Sequence, residues 1–219
     1  MASNILFFTM LTIILNFIFI SHGFDPRPLH DFCVADTKSS VRLGSGFPCK
    51  DPTLVKSEDF LLRGLHLPGN TSNPLRAALT PVSVATLPGL NTLGLALARL
   101  DLAPQGFIPP HYHPRATEAI TVLEGTLEVG FVSSAPSYVH YSKNLVKGDV
   151  YIIPVGLLHY FRNVGQNNTV LLAVVNSQNA GIVTFTNGIF AAKPPIDSEY
   201  MGKAYQLDEK TIQRLQASF

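Results

Sequence analysis

Apolar and polar positions alternate over short stretches from Leu93 to about Val183, between residues that favour turns. Glu118-Ala-Ile-Thr-Val-Leu123 is followed by Glu124-Gly125 and then by Thr126-Leu-Glu-Val-Gly-Phe131. Ile120 and Val122 share one face, matched by Leu127, Val129 and Phe131, and the spacing predicts a hairpin turning at Glu124-Gly125. Further strands are expected over Asp149 to Ile153, Leu157 to Val164 and Thr169 to Val175, the first two separated by Pro154-Val-Gly156. So many strands with so little helix between them predict an all-β barrel or double-sheet jelly roll rather than a parallel α/β sheet. Helical periodicity is confined to the C-terminus, where Asp208 can cap Glu209 to Ala217 with Ile212 and Leu215 on one face. Phe24 to Asn73 is turn-rich and irregular.

The opening stretch follows another rule. Ile5 to Ile20 is apolar apart from Thr9, Thr12 and Asn16, and the first charged residue is Asp25. The run is short for a spanning helix, and Ser21 and Gly23 place small residues at −3 and −1 of a cleavage after Gly23, so residues 1–23 read as a secretory signal peptide. Its lack of Lys or Arg leaves a membrane anchor as the alternative. No later segment is apolar enough to span, so no stable membrane insertion is expected after signal removal. Secretion gives Cys33 and Cys49 a meaning, because thiols in an oxidising compartment tend to pair, two free buried cysteines being the alternative. Asn70-Thr71-Ser72 and Asn167-Asn168-Thr169 are glycosylation sequons.

Length and charge then narrow the class. A chain of 219 residues can bury a real core as one domain, expected over 24–219 with a barrel core at about 60–195 and helices at about 197–218. With a net charge of +1 and no Lys/Arg run, the chain lacks the basic surface that phosphate backbones require, which excludes nucleic acid as a partner. There is no Gly-x-Ser-x-Gly nucleophile setting and no glycine fingerprint opening a helix. Lys147-Gly148-Asp149 reads as a turn between strands rather than an adhesion motif.

The candidate chemistry lies in Pro109-Pro-His111-Tyr-His113-Pro-Arg-Ala-Thr-Glu118. Prolines on both sides forbid a helix interior, so His111 and His113 project from one face of an extended segment and can grip one metal ion. Glu118 shares parity with Ile120 and Val122, which aims its carboxylate inward, and a buried carboxylate needs a cation. His159 stands on the face of Leu157 and Phe161. His22, His30, His66 and His140 have no comparable setting. Three nitrogens and one carboxylate without sulfur leave up to two positions of an octahedral ion open and suit Mn(II) or Fe(II), although intrinsic affinity favours Zn or Cu.

On these residues the chain resembles the cupin superfamily and, within it, the plant germin and germin-like proteins. The first motif is His111-x-His113, four residues, Glu118, six residues, Gly125; the second is Gly148, five residues, Pro154-x-Gly156, two residues, His159, three residues, Asn163. Asp31-Phe-Cys33-Val-Ala-Asp36 and Pro114-Arg-Ala-Thr-Glu118 extend the likeness. Gln105 departs from it, standing where a glycine usually opens the first motif, at a turn remote from the ligands. The resemblance implies a cupin jelly-roll barrel with a C-terminal helical extension and manganese held by His111, His113, Glu118 and His159. It further implies a secreted apoplastic or cell-wall glycoprotein, assembled as a homohexamer, a trimer of dimers clasped by the C-terminal helices.

Germin-like proteins include oxalate oxidases, proteins with superoxide dismutase activity and members without established catalysis. The oxalate oxidases of the family carry two asparagines near the metal, at the positions that hold Ala98 and Ile108 here. Neither can hydrogen-bond oxalate, and an apolar wall disfavours a dianion. The expected activity is therefore dismutation of superoxide with manganese cycling between Mn(II) and Mn(III). The rival expectations are a non-catalytic wall or receptor-like module stabilised by its metal, and oxalate oxidation.

Overall fold

In the computed structural model the described residues are 30–219 apart from Arg42 and Ser45, so the expected leader over 1–23 and His22 lie outside them. Among the described residues, ten strands form two antiparallel five-stranded sheets. The first holds β1 (Ala77–Val82), β2 (Ala96–Leu102), β9 (Thr169–Val175), β4 (Glu118–Glu124) and β7 (Val150–Ile153), in that order. The second holds β10 (Val183–Thr184), β3 (Phe107–Tyr112), β8 (Leu158–Asn163), β5 (Thr126–Val132) and β6 (His140–Val146). Alternation along each strand sends one set of side chains between the sheets: Leu100 and Leu102, Ile120 and Val122, Leu127 and Val129, Phe161, and Leu171 form one buried cluster. This is the jelly roll expected from the strand pattern.

The expected hairpin at Glu124-Gly125 does not exist. β4 pairs with β9 and β7, whereas β5 pairs with β8 and β6, so the two consecutive strands lie in opposite sheets. Alternation looks the same in both arrangements, because the inward residues of β4 and β5 face one core whether the strands lie side by side or across it. Gly125 forms the corner: its φ is +80°, and a Cβ there would stand 2.6 Å from the Asn168 carbonyl oxygen. Only a residue without a side chain lets the backbone cross so close to the start of β9. The pairs β1/β2 and β5/β6 are the consecutive strands that pair directly. β1 lies before the stretch whose alternation is legible, and β6 buries only Leu145.

The irregular N-terminal region is tied to the first sheet. Cys33 and Cys49 are joined by a disulfide, with Cα atoms 4.9 Å apart. Ala35, Val82, Val84 and Leu90 form a second small core there. Fully buried Asn91 donates to the Phe47 carbonyl at 2.9 Å and accepts from the Phe47 amide at 3.1 Å. On the outer face of β2 Arg99 meets Asp101 at 2.6 Å; the guanidinium also donates to the His66 carbonyl, and Asp101 accepts from the Gly69 amide. This largely buried pair ties the 65–69 segment to the sheet through those hydrogen bonds.

Three helices close the chain: α1 (Phe185–Phe190), α2 (Ser198–Tyr205) and α3 (Glu209–Ala217). Asp197 caps α2 through the Tyr200 amide, and Asp208 caps α3 through the Thr211 amide at 2.9 Å, as its position before the apolar periodicity requires. Ile212 on α3 is fully buried. Lys147-Gly148-Asp149 forms the turn from β6 to β7, where the Asp149 carboxylate accepts from the Val146 amide. Among the described residues no helix is long and apolar enough to cross a membrane.

Candidate metal centre

His111 sits near the end of β3, directly opposite His159 on β8. The register between these strands shifts from Ile108 to His111, where Pro109 and Pro110 interrupt the ladder because proline has no N–H to donate. His113 follows just beyond β3. Glu118 is the first residue of β4, in the facing sheet. Two imidazoles from one sheet, a third just past its strand β3, and a carboxylate from the other sheet thus meet inside the barrel, their ligand atoms all within 4.8 Å of one another. His111, Glu118 and His159 are buried and His113 is half-buried.

The backbone sets the tautomers. Nδ1 of His111 lies 2.8 Å from the Pro109 carbonyl oxygen, Nδ1 of His159 lies 2.9 Å from that of Leu157, and Nδ1 of His113 faces that of Gly181. A carbonyl oxygen only accepts, so each Nδ1 carries the proton and each Nε2 keeps its lone pair for the interior. His159 Nε2 and Glu118 Oε2 then stand 3.0 Å apart, and His113 Nε2 lies 3.5 Å from the same oxygen. His159 Nε2 and Glu118 Oε2 are fully buried and have no hydrogen-bond partner. Two buried acceptors this close repel unless a proton or a metal cation lies between them. Donor set, tautomers and orphaned atoms together fit a divalent ion of the Mn/Fe type.

The electrostatics set His111 apart from the groups around Glu118. Burial pushes the His111 imidazole down to about 4, with further repulsion from His159, so it is neutral at pH 7. Burial also opposes charge on His113, but contact with Glu118 and with the Gly181 carbonyl outweighs it and raises that imidazole. For Glu118 burial works against ionisation, yet His113 and His159 overcome it and hold the carboxyl down to about 2.

The cluster opens into a cavity of about 210 Å³. Beyond His111, His113 and Glu118 its described lining is apolar throughout, including Leu79, Leu97, Leu100 and Ile182. Ala98 on β2 and Ile108 on β3 are both part of this wall.

Sequence reasoning missed the Ala180-Gly181-Ile182 segment, which walls the cavity and supplies the carbonyl behind His113. A backbone carbonyl is the same for every residue type, so no sequence signal marks it. Asn163, the last position of the second motif, points away from the cluster: its amide donates to the carbonyls of Leu102, Ala103 and Asn167, and its oxygen accepts from the Gly165 amide. His30, His66 and His140 are exposed and outside the cluster; His140 Nε2 lies 3.2 Å from the Tyr160 hydroxyl on the outer face of the second sheet. Both sequon asparagines, Asn70 and Asn167, are exposed. Gln105 is exposed in a turn with φ +66°, a conformation in which glycine carries no steric cost.

Comparison with known proteins follows the same lines. Residues 63–213 match the family model of the cupins. Germin-like protein 8-2 of Oryza sativa subsp. japonica is 50% identical over 197 residues, 89% of each chain. Germin-like protein subfamily 1 member 13 of Arabidopsis thaliana is 42% identical over the whole of this chain and 98% of its own. Among solved structures, an oxalate oxidase in complex with the substrate analogue glycolate superposes with a TM-score of 0.84 at 38% identity, over 90% of this chain and 98% of that one. Peruvianin-I, a cysteine peptidase from Thevetia peruviana latex, is 38% identical with a TM-score of 0.68, over 74% of this chain and 98% of that one.

Proposed function

The chain belongs to the germin-like proteins of the cupin family, and from that premise we propose that it is a secreted, manganese-binding protein that dismutates superoxide in the apoplast. The observation that carries this reading is a cluster of three imidazoles and one carboxylate at the end of a cavity whose other walls are apolar. Manganese bound there supplies one-electron redox chemistry, by which two superoxide anions and two protons become dioxygen and hydrogen peroxide. His111, His113, His159 and Glu118 hold the ion, and the carbonyls of Pro109, Gly181 and Leu157 keep each imidazole turned inward. With Glu118 ionised, a divalent ion leaves the centre one positive charge, which draws in a small monoanion. No proton-donating side chain lines the cavity among the described residues beyond the ligands, so the protons for peroxide come from solvent.

Oxalate oxidation is disfavoured because Ala98 and Ile108 offer no hydrogen bond to a dianion. A thiol peptidase reading fails for lack of a nucleophile, since both cysteines of the chain are consumed in the Cys33–Cys49 disulfide. The second reading, a wall or receptor-like module stabilised by its metal, draws on the orphaned Glu118 and His159 atoms, which make the metal-free core costly. Glycosylation at Asn70 and Asn167 and a homohexameric trimer of dimers complete the proposal. The apolar side chains left exposed on the single chain, Val150, Ile152 and Tyr200 among them, favour burial between subunits.

The test is elemental analysis of the natively secreted protein followed by superoxide and oxalate assays on the same preparation. Stoichiometric manganese with superoxide removal and no oxalate turnover is expected. Brisk oxalate oxidation overturns the assignment, and a manganese-loaded protein that melts higher than the metal-free form but leaves superoxide untouched establishes the module instead.

A further inference from the structure

We infer that the cavity beside the ligand cluster binds small aliphatic monocarboxylates, the carboxylate at the cluster and the hydrocarbon tail among Leu79, Leu97, Ile108 and Ile182. The inference rests on the proposed metal centre but not on dismutation. Size is the first argument: about 210 Å³ is the room of about seven water molecules, far more than a diatomic anion occupies. Charge is the second, because a divalent ion with Glu118 carries one net positive charge, which a monoanion neutralises. A dianion leaves a net negative charge beside walls that hold no cation and no side-chain donor.

The chemistry of the wall is the third argument. No hydroxyl, amide or charged side chain lines it among the described residues beyond the ligands, so hydroxy acids and sugars find no partner for their polar groups. Ala98, Leu100, Phe161 and Ala173 form its inner part, while Leu79 and Ile182, 55% and 60% exposed, flank the outer part. A tail of about three to five carbons reaching these two residues removes their apolar surface from water, and each methylene it adds tightens binding.

Titration calorimetry of the manganese-loaded protein with acetate, butanoate, pentanoate, octanoate and oxalate tests this, with the Mn(II) paramagnetic resonance line shape as a second readout. Affinity should rise about threefold per methylene, or about thirtyfold from acetate to pentanoate, level off by octanoate, and be weaker for oxalate than for pentanoate. Ile108→Asn should lower pentanoate affinity about tenfold at unchanged manganese content. Ile182→Ser, at an exposed position, serves the same purpose should Ile108→Asn fail to fold. Affinity independent of chain length, or oxalate binding tighter than pentanoate, overturns the inference while leaving dismutation standing. Graded carboxylate binding without superoxide removal overturns the activity alone, and a protein that takes up no divalent metal overturns both.

Discussion

Acidification of the metal-free protein isolates one residue of the centre. His111 is only 3% exposed, and burial holds its imidazole down to about 4, against 6.5 for an unperturbed one. The unfolded chain therefore takes up a proton at His111 below pH 6.5, whereas the folded chain does not until about pH 4. The resulting contribution to stability is fully present above pH 6.5, is lost as pH falls from there, and is gone below about pH 4. At 1.36 kcal/mol per pH unit the loss across this window is about 3 kcal/mol. The neighbouring groups act outside most of it, Glu118 entering only below pH 4.5. His113 is raised, so its contribution is complete below 6.5 and is lost only as pH rises, while that of Glu118 is complete above 4.5 and declines toward pH 2. Urea unfolding of the chelated protein, followed by far-UV circular dichroism because the chain has no tryptophan, should show a loss of about 3 kcal/mol between pH 7 and pH 4. His111→Asn, which cannot titrate, should flatten that slope whatever its absolute stability. Equal slopes for the two proteins, or a flat profile for the parent, would refute the reasoning.

Three further outcomes are expected. His159→Ala removes one of four ligands and should abolish manganese retention on elemental analysis, while His66→Ala and His140→Ala, outside the cluster, should keep it. Replacing Cys33 and Cys49 together by serine opens a loop of sequence separation 16 and should lower stability by about 3 kcal/mol in chemical denaturation, with manganese content preserved because the centre lies in the barrel. Gln105→Gly relieves a left-handed backbone at an exposed turn and should raise stability by about 0.5–1 kcal/mol in the same assay.

How far the fold was legible in the chain depended on what alternation encodes. A period of two identifies which side chains face the core, and Ile120, Val122, Leu127 and Val129 all do. It carries no information about which strand lies alongside, and for that reason Glu124-Gly125 reads as a hairpin although it is a corner between sheets. The feature that decides between them is the approach of Gly125 to Asn168 and Thr169, more than forty positions along the chain. β6 was illegible for another reason: it is an edge strand and buries a single side chain, so the pattern of a half-buried strand is absent. Asp208 was legible because a cap is a purely local arrangement.

The ligand cluster was legible for the same local reason, and its surroundings were not. His111, His113 and Glu118 fall within eight residues, and strand parity alone turns the two histidines to one side and Glu118 to the face of Ile120. The cavity is different, because Leu97, Leu100, Phe161 and Ala173 are apolar residues on core-facing strands and nothing in their identity separates a cavity wall from a filled core. The difference comes from the side chains that would fill the space. Ala98 and Ala173, paired across β2 and β9, are both too small to reach the cluster, and the open volume lies in front of them. Small residues at paired inward positions beside a polar cluster thus leave the barrel hollow where the chemistry needs it. Around Ile120, Leu127 and Leu171 the side chains instead close into a buried core. Filling that space, rather than removing a ligand, is the substitution that would separate metal binding from ligand access, since the imidazoles are held by backbone carbonyls and not by the side chains of the wall.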